Sequence, residues 1–303
     1  MRTSFARLAL LAYCSLGTAL ADVPESWTAT LEPFQITDEL YYVGSQDLAS
    51  YLVVTPDGNI LINANLAGSP PQIRASVEKL GFRWTDIRIL LNSQAHSDHM
   101  GGAAAILRET QAANLVMDGD VDVVETGGEA DFISESPPTK TSFTPARVDR
   151  ILHDGDTVSF GGVTLTARKT AGHTRGTTTW TMRSHLPGEP ATAMRDVVIV
   201  GGTGFWSAYR FVDGPGDPAS YPGIAEDFER TFATLRALPC DVFLGAHGGY
   251  FDLPAKLQRY PVEGPRVFVD PEGCRRFVED SAEAFEVALR KQRAEAAHSP
   301  SGD

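Results

Sequence analysis

The chain has 303 residues, 42% of them hydrophobic, and a formal net charge of −13. This length and composition can bury a sizeable core, as one large domain or two small ones. The strong acidity argues against binding to nucleic acid or anionic membranes, because both are negatively charged. Nothing in the sequence demands more than a monomer.

The first 21 residues have the pattern of a secretory signal peptide. Arg2 and Arg7 precede an apolar stretch, residues 8–20, and Ala19-Leu20-Ala21 has the small-x-small pattern of a cleavage site. The apolar stretch is too short for a permanent membrane helix. We therefore expect a periplasmic or secreted protein without membrane association after cleavage. Losing the two arginines would change the net charge from −13 to −15.

The cysteines fit the same compartment. Cys14 would leave with the signal peptide; the alternative, a lipid anchor on Cys14, is disfavoured because the preceding Tyr13 is bulky where such signals carry a small residue. Cys240 and Cys274 remain, and two cysteines in an exported chain predict one disulfide. Closing a loop of about 35 residues would stabilise the fold by roughly 4 kcal/mol in the chain-entropy model. Two free buried thiols are the alternative.

Hydrophobic periodicity predicts a mixture of strands and helices. The predicted strands are Tyr51 to Thr55, Asn59 to Asn63, Ile87 to Leu91, Val163 to Lys169, Thr177 to Arg183, Val197 to Val200 and Val242 to Leu244. The predicted helices are Pro71 to Leu80, Ala103 to Thr110 and Tyr221 to Leu238. Each half of the chain thus contains strands, a helix and a strand that leads to histidine. Two such halves predict an α/β fold, a four-layer αβ/βα sandwich.

Residues 22–293 are expected to form this single domain, followed by a disordered tail over residues 294–303. Within the domain, residues 129–147 are rich in Pro, Ser and Thr and predict a long surface loop, of the kind that often acts as a lid. Its apolar residues would either close over a substrate side chain or pack the loop down. These residues are Phe132, Ile133, Pro137 and Pro138.

The most informative segment is residues 92–102, Asn-Ser-Gln-Ala-His-Ser-Asp-His-Met-Gly-Gly. It follows a predicted strand, and the carboxyl ends of strands are where α/β folds place their chemistry. Four potential metal ligands occupy six positions, namely Gln94, His96, Asp98 and His99. Imidazole and carboxylate groups packed so closely would repel or stay unsatisfied in a core, so a metal ion is their simplest partner.

Two more histidines, His173 and His247, also follow predicted strands. The chain therefore offers two sets of three ligands. The first set is Gln94, His96 and His173, and the second set is Asp98, His99 and His247. Mixed nitrogen and oxygen ligands with an open position suit catalytic zinc. His153, His185 and His298 are interpreted as ordinary loop, core or tail residues.

The motif resembles the His-x-His-x-Asp-His motif of the metallo-β-lactamase superfamily, with glutamine replacing the first histidine. The resemblance covers nearly all of the expected mature chain. It includes Tyr51-Leu-Val-Val-Thr-Pro-Asp-Gly-Asn-Ile-Leu-Ile, Glu125-Thr-Gly-Gly-Glu-Ala-Asp-Phe, Ala171-Gly-His-Thr, Tyr221-Pro-Gly-Ile-Ala-Glu-Asp-Phe and the cysteine pair. Together these segments are similar to the glutamine-bearing variants of the third subclass of true metallo-β-lactamases.

The superfamily also contains hydrolases of thioesters, lactones, phosphodiesters and sulfates, so the motif alone does not name a substrate. Many of those enzymes carry an aspartate that bridges both metals, and the other two β-lactamase subclasses carry a cysteine ligand in the same region. This chain has Val200-Gly-Gly-Thr-Gly there, with neither group. The resemblance therefore implies the third subclass and a small-molecule β-lactam substrate, with hydrolysis of penicillins, cephalosporins and carbapenems.

The resemblance also implies roles for individual residues. Asp98 would hold one metal and act in catalysis, by orienting the attacking water or relaying its proton. Thr203 is the only hydroxyl left in the segment that binds the drug's carboxylate in related enzymes. Tyr209 is a candidate for assisting the oxyanion, with an ordinary surface tyrosine as the alternative.

Gln94 is the departure from the motif with a physical consequence. A neutral amide oxygen is a weaker zinc ligand than imidazole, whereas the second set keeps its full Asp, His and His. We therefore hypothesise that the second site binds zinc more tightly than the first and loads before it.

Three functions compete on the sequence alone. The favoured one is an exported zinc β-lactamase that confers antibiotic resistance. The second is a periplasmic zinc lactonase or thioesterase on the same fold, which the missing bridging carboxylate disfavours. The third is a non-catalytic zinc-binding protein, which complete ligand sets with open positions disfavour.

Overall fold

The computed structural model describes residues 23–133, 142–214 and 216–298. The predicted signal peptide, residues 1–21, lies outside the described residues. The same holds for Pro137 and Pro138 of the predicted loop and for residues 299–303.

The first sheet has seven strands that follow one another in chain order. They are β1 (Phe34–Gln35), β2 (Leu40–Tyr42), β3 (Tyr51–Thr55), β4 (Gly58–Ile62), β5 (Ile87–Leu91), β6 (Ala113–Met117) and β7 (Arg150–Leu152). β1 to β4 pair antiparallel, and β4 to β7 pair parallel. The parallel connections run through helices, which brings the carboxyl ends of β4, β5 and β6 to one edge.

The second sheet has five strands in the order β12-β11-β10-β9-β8. They are β8 (Thr157–Phe160), β9 (Val163–Lys169), β10 (Thr178–Ser184), β11 (Arg195–Val200) and β12 (Val242–Gly245). β8 to β11 pair antiparallel, whereas β11 and β12 pair parallel. The parallel pair follows from a helical crossover between these two strands.

Longer helices cover the outer faces of the two sheets, and short ones lie in the connecting loops. They are α1 (Glu25–Thr28), α2 (Pro70–Lys79), α3 (Ser97–Met100), α4 (Ala103–Thr110), α5 (Val121–Thr126), α6 (Ile224–Ala237), α7 (Leu253–Glu263) and α8 (Pro271–His298). Short 3-10 turns lie at Trp84–Asp86, Asp118–Asp120, Gly248–Phe251 and Gly264–Phe268. Within the described part of the chain, no helix combines the length and the apolar character that crossing a membrane requires.

Side chains on the two faces of the first sheet pack into two different hydrophobic cores. In β4, Ile60 and Ile62 belong to the core that also contains residues of the second sheet, such as Trp180. Leu61 between them packs into a separate core with Ile73 of α2 and residues of α4. Successive side chains of a strand point to opposite faces, so the first sheet is buried on both sides. The predicted α/β sandwich of two sheets with outer helices is confirmed.

Most predicted elements are present within a few residues of their predicted bounds, and the prediction at the chain end is wrong for residues 294–298. The tail expected to be disordered from residue 294 continues α8 as far as His298. The Ala-Glu-Ala-Ala run favours a helix, and Lys291 lies one turn before Glu295, with their charged atoms 3.9 Å apart. The disulfide prediction fits the structure, in which Cys240, just before β12, is bonded to Cys274 in α8.

Candidate metal centre

Three loops meet at one edge of the sandwich, between the two sheets. Residues 92–99 follow β5 of the first sheet, His173 follows β9, and His247 follows β12 of the second sheet. α3, which the sequence did not predict, starts at Ser97 and turns the chain immediately after His96. The strand ends therefore place both predicted ligand sets along the same seam.

The second set forms a compact triangle. Asp98, His99 and His247 can each offer one ligand atom, and these atoms lie within 4.8 Å of one another. The Nε2 atoms of His99 and His247 are 3.2 Å apart. Asp98 Oδ2 lies 3.3 Å from His99 Nε2 and 3.4 Å from His247 Nε2. Two imidazoles and one carboxylate thus point at a common centre.

The two histidines of the first set also lie close together. His96 Nδ1 and His173 Nε2 lie 3.1 Å apart, with their rings nearly perpendicular. Gln94 is fully buried, yet among the described residues neither its Oε1 nor its Nε2 has a hydrogen-bond partner. A buried amide is normally hydrogen-bonded. We therefore expect these two atoms to have a partner that is not part of the protein chain.

The spacing of these atoms fits zinc. Around a tetrahedral zinc ion with bonds of about 2.0–2.1 Å, neighbouring ligand atoms stand roughly 3.3–3.4 Å apart. The three spacings in the second set, 3.2, 3.3 and 3.4 Å, match that value. The second set therefore fits a zinc ion. The amide oxygen of Gln94 is buried and has no partner among the described residues, as expected for a metal ligand without its ion.

Burial and neighbouring charges shift the pKa values of the candidate ligands in different directions. Burial and the proximity of His96 lower the pKa of His173 to about 3, so its ring is neutral at pH 7. Burial opposes ionisation of Asp98, but the charges and hydrogen bonds of His99 and His247 hold its pKa well below the ordinary value. Although burial opposes it, hydrogen bonding to Asp47 and to Asp98 raises the pKa of His247 to about 9 in the metal-free protein.

Asp120, which the sequence did not reveal, ties two ligand loops together. Its carboxylate accepts hydrogen bonds from the Ala95 N–H at 2.9 Å, the Thr174 hydroxyl at 2.8 Å and the Gly176 N–H at 2.8 Å. Ala95 lies between Gln94 and His96, and Thr174 follows His173. Burial raises the pKa of Asp120 to about 6 against these hydrogen bonds. The carboxylate therefore fixes the relative position of the loops that carry the first set.

Two further carboxylates lie behind the ligand histidines. Asp131 Oδ2 is 3.0 Å from His96 Nε2, and Asp47 Oδ2 is 3.1 Å from His247 Nδ1. In both cases the carboxylate faces the ring nitrogen that points away from the other ligands. Neither contact could be predicted from the sequence, because neither aspartate is close along the chain to the histidine that it contacts. Asp131 does lie in the family-like segment that starts at Glu125.

The hydroxyls of Thr203 and Tyr209, the two predicted substrate contacts, both have hydrogen-bond partners within the protein. The Thr203 hydroxyl donates to Ser281 Oγ of α8 at 3.2 Å, and the residue is almost fully buried. The Tyr209 hydroxyl is buried and donates to the His173 carbonyl at 2.6 Å, so it supports the ligand loop. Both hydroxyls are engaged in the fold, which sequence position alone did not reveal.

Trp206 is the aromatic residue nearest to the first set that the sequence analysis missed. Its ring centroid lies 6.0 Å from that of His96 and 5.9 Å from that of His173. The indole packs edge-on against Tyr209 at 4.7 Å. Trp206 therefore forms an apolar wall beside the first site.

The described part of the predicted lid packs against the body of the protein. The Phe132 ring contacts those of Tyr209 and Tyr221 at 5.4 and 5.0 Å, and Ile133 is buried. The packing interpretation thus describes these two residues better than the open-lid interpretation. His153 and His185 lie outside both sets, 3.3 Å from Asp118 and 3.1 Å from Asp38 respectively.

Comparison with known proteins agrees with this geometry. Residues 48–247 match the metallo-beta-lactamase superfamily. The native FEZ-1 metallo-beta-lactamase from Legionella gormanii is 45% identical, with a TM-score of 0.82 over 88% of this chain and 98% of that chain. GOB-18 from Elizabethkingia meningoseptica, also a metallo-beta-lactamase, is 34% identical, with a TM-score of 0.79 over 89% and 96%. BJP-1, a subclass B3 metallo-beta-lactamase of Bradyrhizobium japonicum, is 33% identical, with a TM-score of 0.79 over 89% and 98%.

Proposed function

The chain belongs to the metallo-β-lactamase superfamily, and we propose that it is an exported zinc β-lactamase of the third subclass, B3, which opens the lactam ring of penicillins, cephalosporins and carbapenems. The observation that carries the proposal is the triangle of Asp98, His99 and His247, whose ligand atoms have the spacing of a tetrahedral zinc site.

Two further observations support a lactamase over other hydrolases of the superfamily. Residues 200–204, at the end of β11 and directly after it, contain neither the bridging carboxylate of many relatives nor a cysteine ligand. The three similar proteins described above are all named metallo-β-lactamases, and the match covers nearly the whole length of each of them.

The residues would divide between two zinc ions. Gln94, His96 and His173 would hold one ion, and Asp98, His99 and His247 the other. When bound, zinc supplies Lewis acidity, which lowers the pKa of water from near 16 to about 7 and stabilises negative charge. The protein's part is to hold the ligands in fixed positions, which the hydrogen bonds of Asp120 do for the first set.

Asp98 is the residue best placed to handle the proton. Lactam hydrolysis adds the oxygen of water to the carbonyl carbon, breaks the C–N bond and leaves a proton on the nitrogen. The Asp98 carboxyl stays ionised at neutral pH, because its pKa lies well below the ordinary value. It can therefore accept a hydrogen bond from the attacking water, orient it and pass its proton towards the nitrogen.

Trp206 shapes the approach to the first set. Its ring stands beside His96 and His173 and presents an apolar surface there. An apolar wall excludes competing water and strengthens the electrostatic interactions inside the site.

The test is an assay of the purified protein with a chromogenic cephalosporin, before chelation, after chelation and after zinc is returned. We expect lactam hydrolysis that disappears with the chelator and returns with zinc. Asp98→Asn should lower kcat by about 10²-fold or more, because the amide can neither accept the proton nor replace the anionic ligand. Asp122→Asn, on the exposed side of α5, is the matched control and should leave kcat unchanged.

Lactone and thioester substrates are assayed in parallel. Zinc-dependent activity on these substrates without lactam hydrolysis would identify the lactonase or thioesterase alternative. Zinc binding without activity on any of the substrates would identify a non-catalytic protein.

A further inference from the structure

Asp47 lies directly behind the second ligand set and is held from several directions. Its Oδ2 is 3.1 Å from His247 Nδ1 and accepts the indole N–H of Trp27 at 3.0 Å. Its Oδ1 accepts the backbone N–H of Gly249 at 2.9 Å. The Asp47 carbonyl also accepts the N–H of Gly248 at 2.6 Å. Both carboxylate oxygens therefore have partners, and the backbone of Asp47 is hydrogen-bonded to the loop that carries His247.

The two nitrogens of His247 face different partners. Nε2 lies 3.2 Å from His99 Nε2 and 3.4 Å from Asp98 Oδ2, on the side where the ligand atoms converge. Nδ1 faces Asp47. A neutral imidazole has one N–H and one lone pair, and only the lone pair can bind a metal. A carboxylate at Nδ1 selects the tautomer in which Nδ1 carries the proton and Nε2 is free.

Trp27 links this contact to the amino-terminal segment. Its ring lies 5.6 Å from the His247 ring, and its N–H fixes the orientation of the Asp47 carboxylate. The backbone N–H of Asp47 donates to the Ser26 carbonyl at 3.0 Å, and that of Gln46 donates to Ala29 at 3.1 Å. The segment around α1 is therefore docked where it restrains Asp47.

We propose that Asp47 is a positioning residue of the second metal site: it fixes the tautomer and ring orientation of His247, and the Trp27 N–H fixes Asp47 in turn. The proposal rests on the proposed function, because it requires that His247 binds a metal. Loss of such a partner behind a metal-binding histidine typically costs 10–100-fold in metal affinity. The effect should be confined to the second site, since Asp47 contacts no member of the first set among the contacts of the described residues.

The experiment measures metal binding rather than activity. Zinc affinity is determined by competition with a chromophoric chelator, and Co²⁺ titration reports the ligand environment by its visible absorption. Asp47→Ala should weaken binding at the second site, which is hypothesised to hold the more tightly bound equivalent, about 10–100-fold and leave the other equivalent unchanged. Asp47→Asn keeps an oxygen that accepts the His247 N–H and should lose less. Trp27→Phe keeps an aromatic ring, removes the N–H and should lose less than Asp47→Ala.

Asp280→Ala, an exposed aspartate of α8, is the matched control and should bind both equivalents as the unaltered chain does. Denaturant unfolding of each metal-free variant shows whether a loss of zinc affinity comes from lost positioning or from a loss of folding. If Asp47→Ala does not fold, Trp27→Phe and Asp47→Asn test the proposal in its place. Unchanged affinity in a folded Asp47→Ala would overturn the proposal while leaving the zinc site intact. Equal loss at both equivalents, or no partial recovery in Asp47→Asn, would also overturn it. An unaltered chain that binds neither metal would overturn the proposed function as well.

Discussion

Gln94 carries a neutral amide in a first set whose other members are imidazoles. Its side chain is buried without a hydrogen-bond partner among the described residues. The second set, by contrast, combines an ionised carboxylate with two imidazoles at tetrahedral spacing. Charge and ligand strength therefore both favour the second site, in line with the hypothesis that it loads first.

Gln94→His should strengthen zinc binding at the first site by about tenfold or more, equivalent to about 1.4 kcal/mol, because imidazole is the stronger ligand. Calorimetric or mass-spectrometric titration measures both equivalents. Gln111→His, at an exposed position after α4, controls for adding a surface histidine. Absence of any gain would mean that Gln94 is not a ligand, and equal, tight binding of both equivalents by the unaltered chain would contradict the loading order.

Asp120 is a second residue whose replacement should destabilise the folded protein. Asp120→Asn substitutes an amide for a carboxylate that accepts three hydrogen bonds, so at least one buried donor loses its acceptor. We expect the free energy of unfolding to fall by about 1–3 kcal/mol, because the site is fully buried. Denaturant unfolding at pH 7.5 measures this, with Asp122→Asn as the exposed control. A change below about 0.5 kcal/mol would show that the loops are held by other contacts.

At the scale of elements, Asp270 joins α7 to α8. Its Oδ1 accepts the Gly273 N–H at 2.8 Å as a helix cap, and its Oδ2 lies 2.9 Å from Lys256 Nζ of α7. Partial burial opposes ionisation, but hydrogen bonding from Lys256 and Gly273 lowers the pKa of Asp270. The Lys256 side chain is only 3% exposed, so it would otherwise be a buried charge without a counter-ion.

Asp270→Asn should therefore destabilise the protein by about 1–2 kcal/mol at pH 7. The carboxyl has a lowered pKa in the folded state, so its contribution is present above the unfolded value of 3.8 and is lost as the pH falls below it. Unfolding free energies from pH 7 down to pH 3 should show the difference between variant and parent shrinking at the acidic end. Asp280→Asn is the control, and a difference that stays constant with pH would rule out the charge as its origin.

The sequence predicted elements best where the pattern was locally complete. β3, β5, β9 and α4 have the bounds that alternation or helical periodicity predicts. The end of α8 was missed because a polar, alanine-rich tail resembles a disordered one, although alanine favours helix. All six candidate ligands could be picked out because each offers a metal-binding atom and lies after a predicted strand. Asp47, Asp120 and Asp131 were not, since an aspartate shows its role only through partners that are distant in sequence.

At the scale of the whole molecule, each candidate ligand set combines residues of the two sheets. The second set takes Asp98 and His99 from the loop after β5 of the first sheet and His247 from the loop after β12 of the second. The first set likewise combines Gln94 and His96 with His173 of the second sheet. A metal ion bound by either set would therefore hold the two halves of the sandwich together.

Zinc removal should consequently lower the stability of the entire domain. A ligand present at 100 times its dissociation constant stabilises the native state by about 2.7 kcal/mol, provided that it does not bind the unfolded chain. Denaturant unfolding with saturating zinc and with chelator should show that shift or a larger one, and both halves should unfold together. Asp98→Asn removes the charged ligand of the second set. It should therefore reduce the difference in unfolding free energy between the protein with saturating zinc and the protein with chelator. Identical midpoints with and without zinc would contradict a role of the ion in joining the sheets, and a shift confined to one sheet would show that the halves unfold independently.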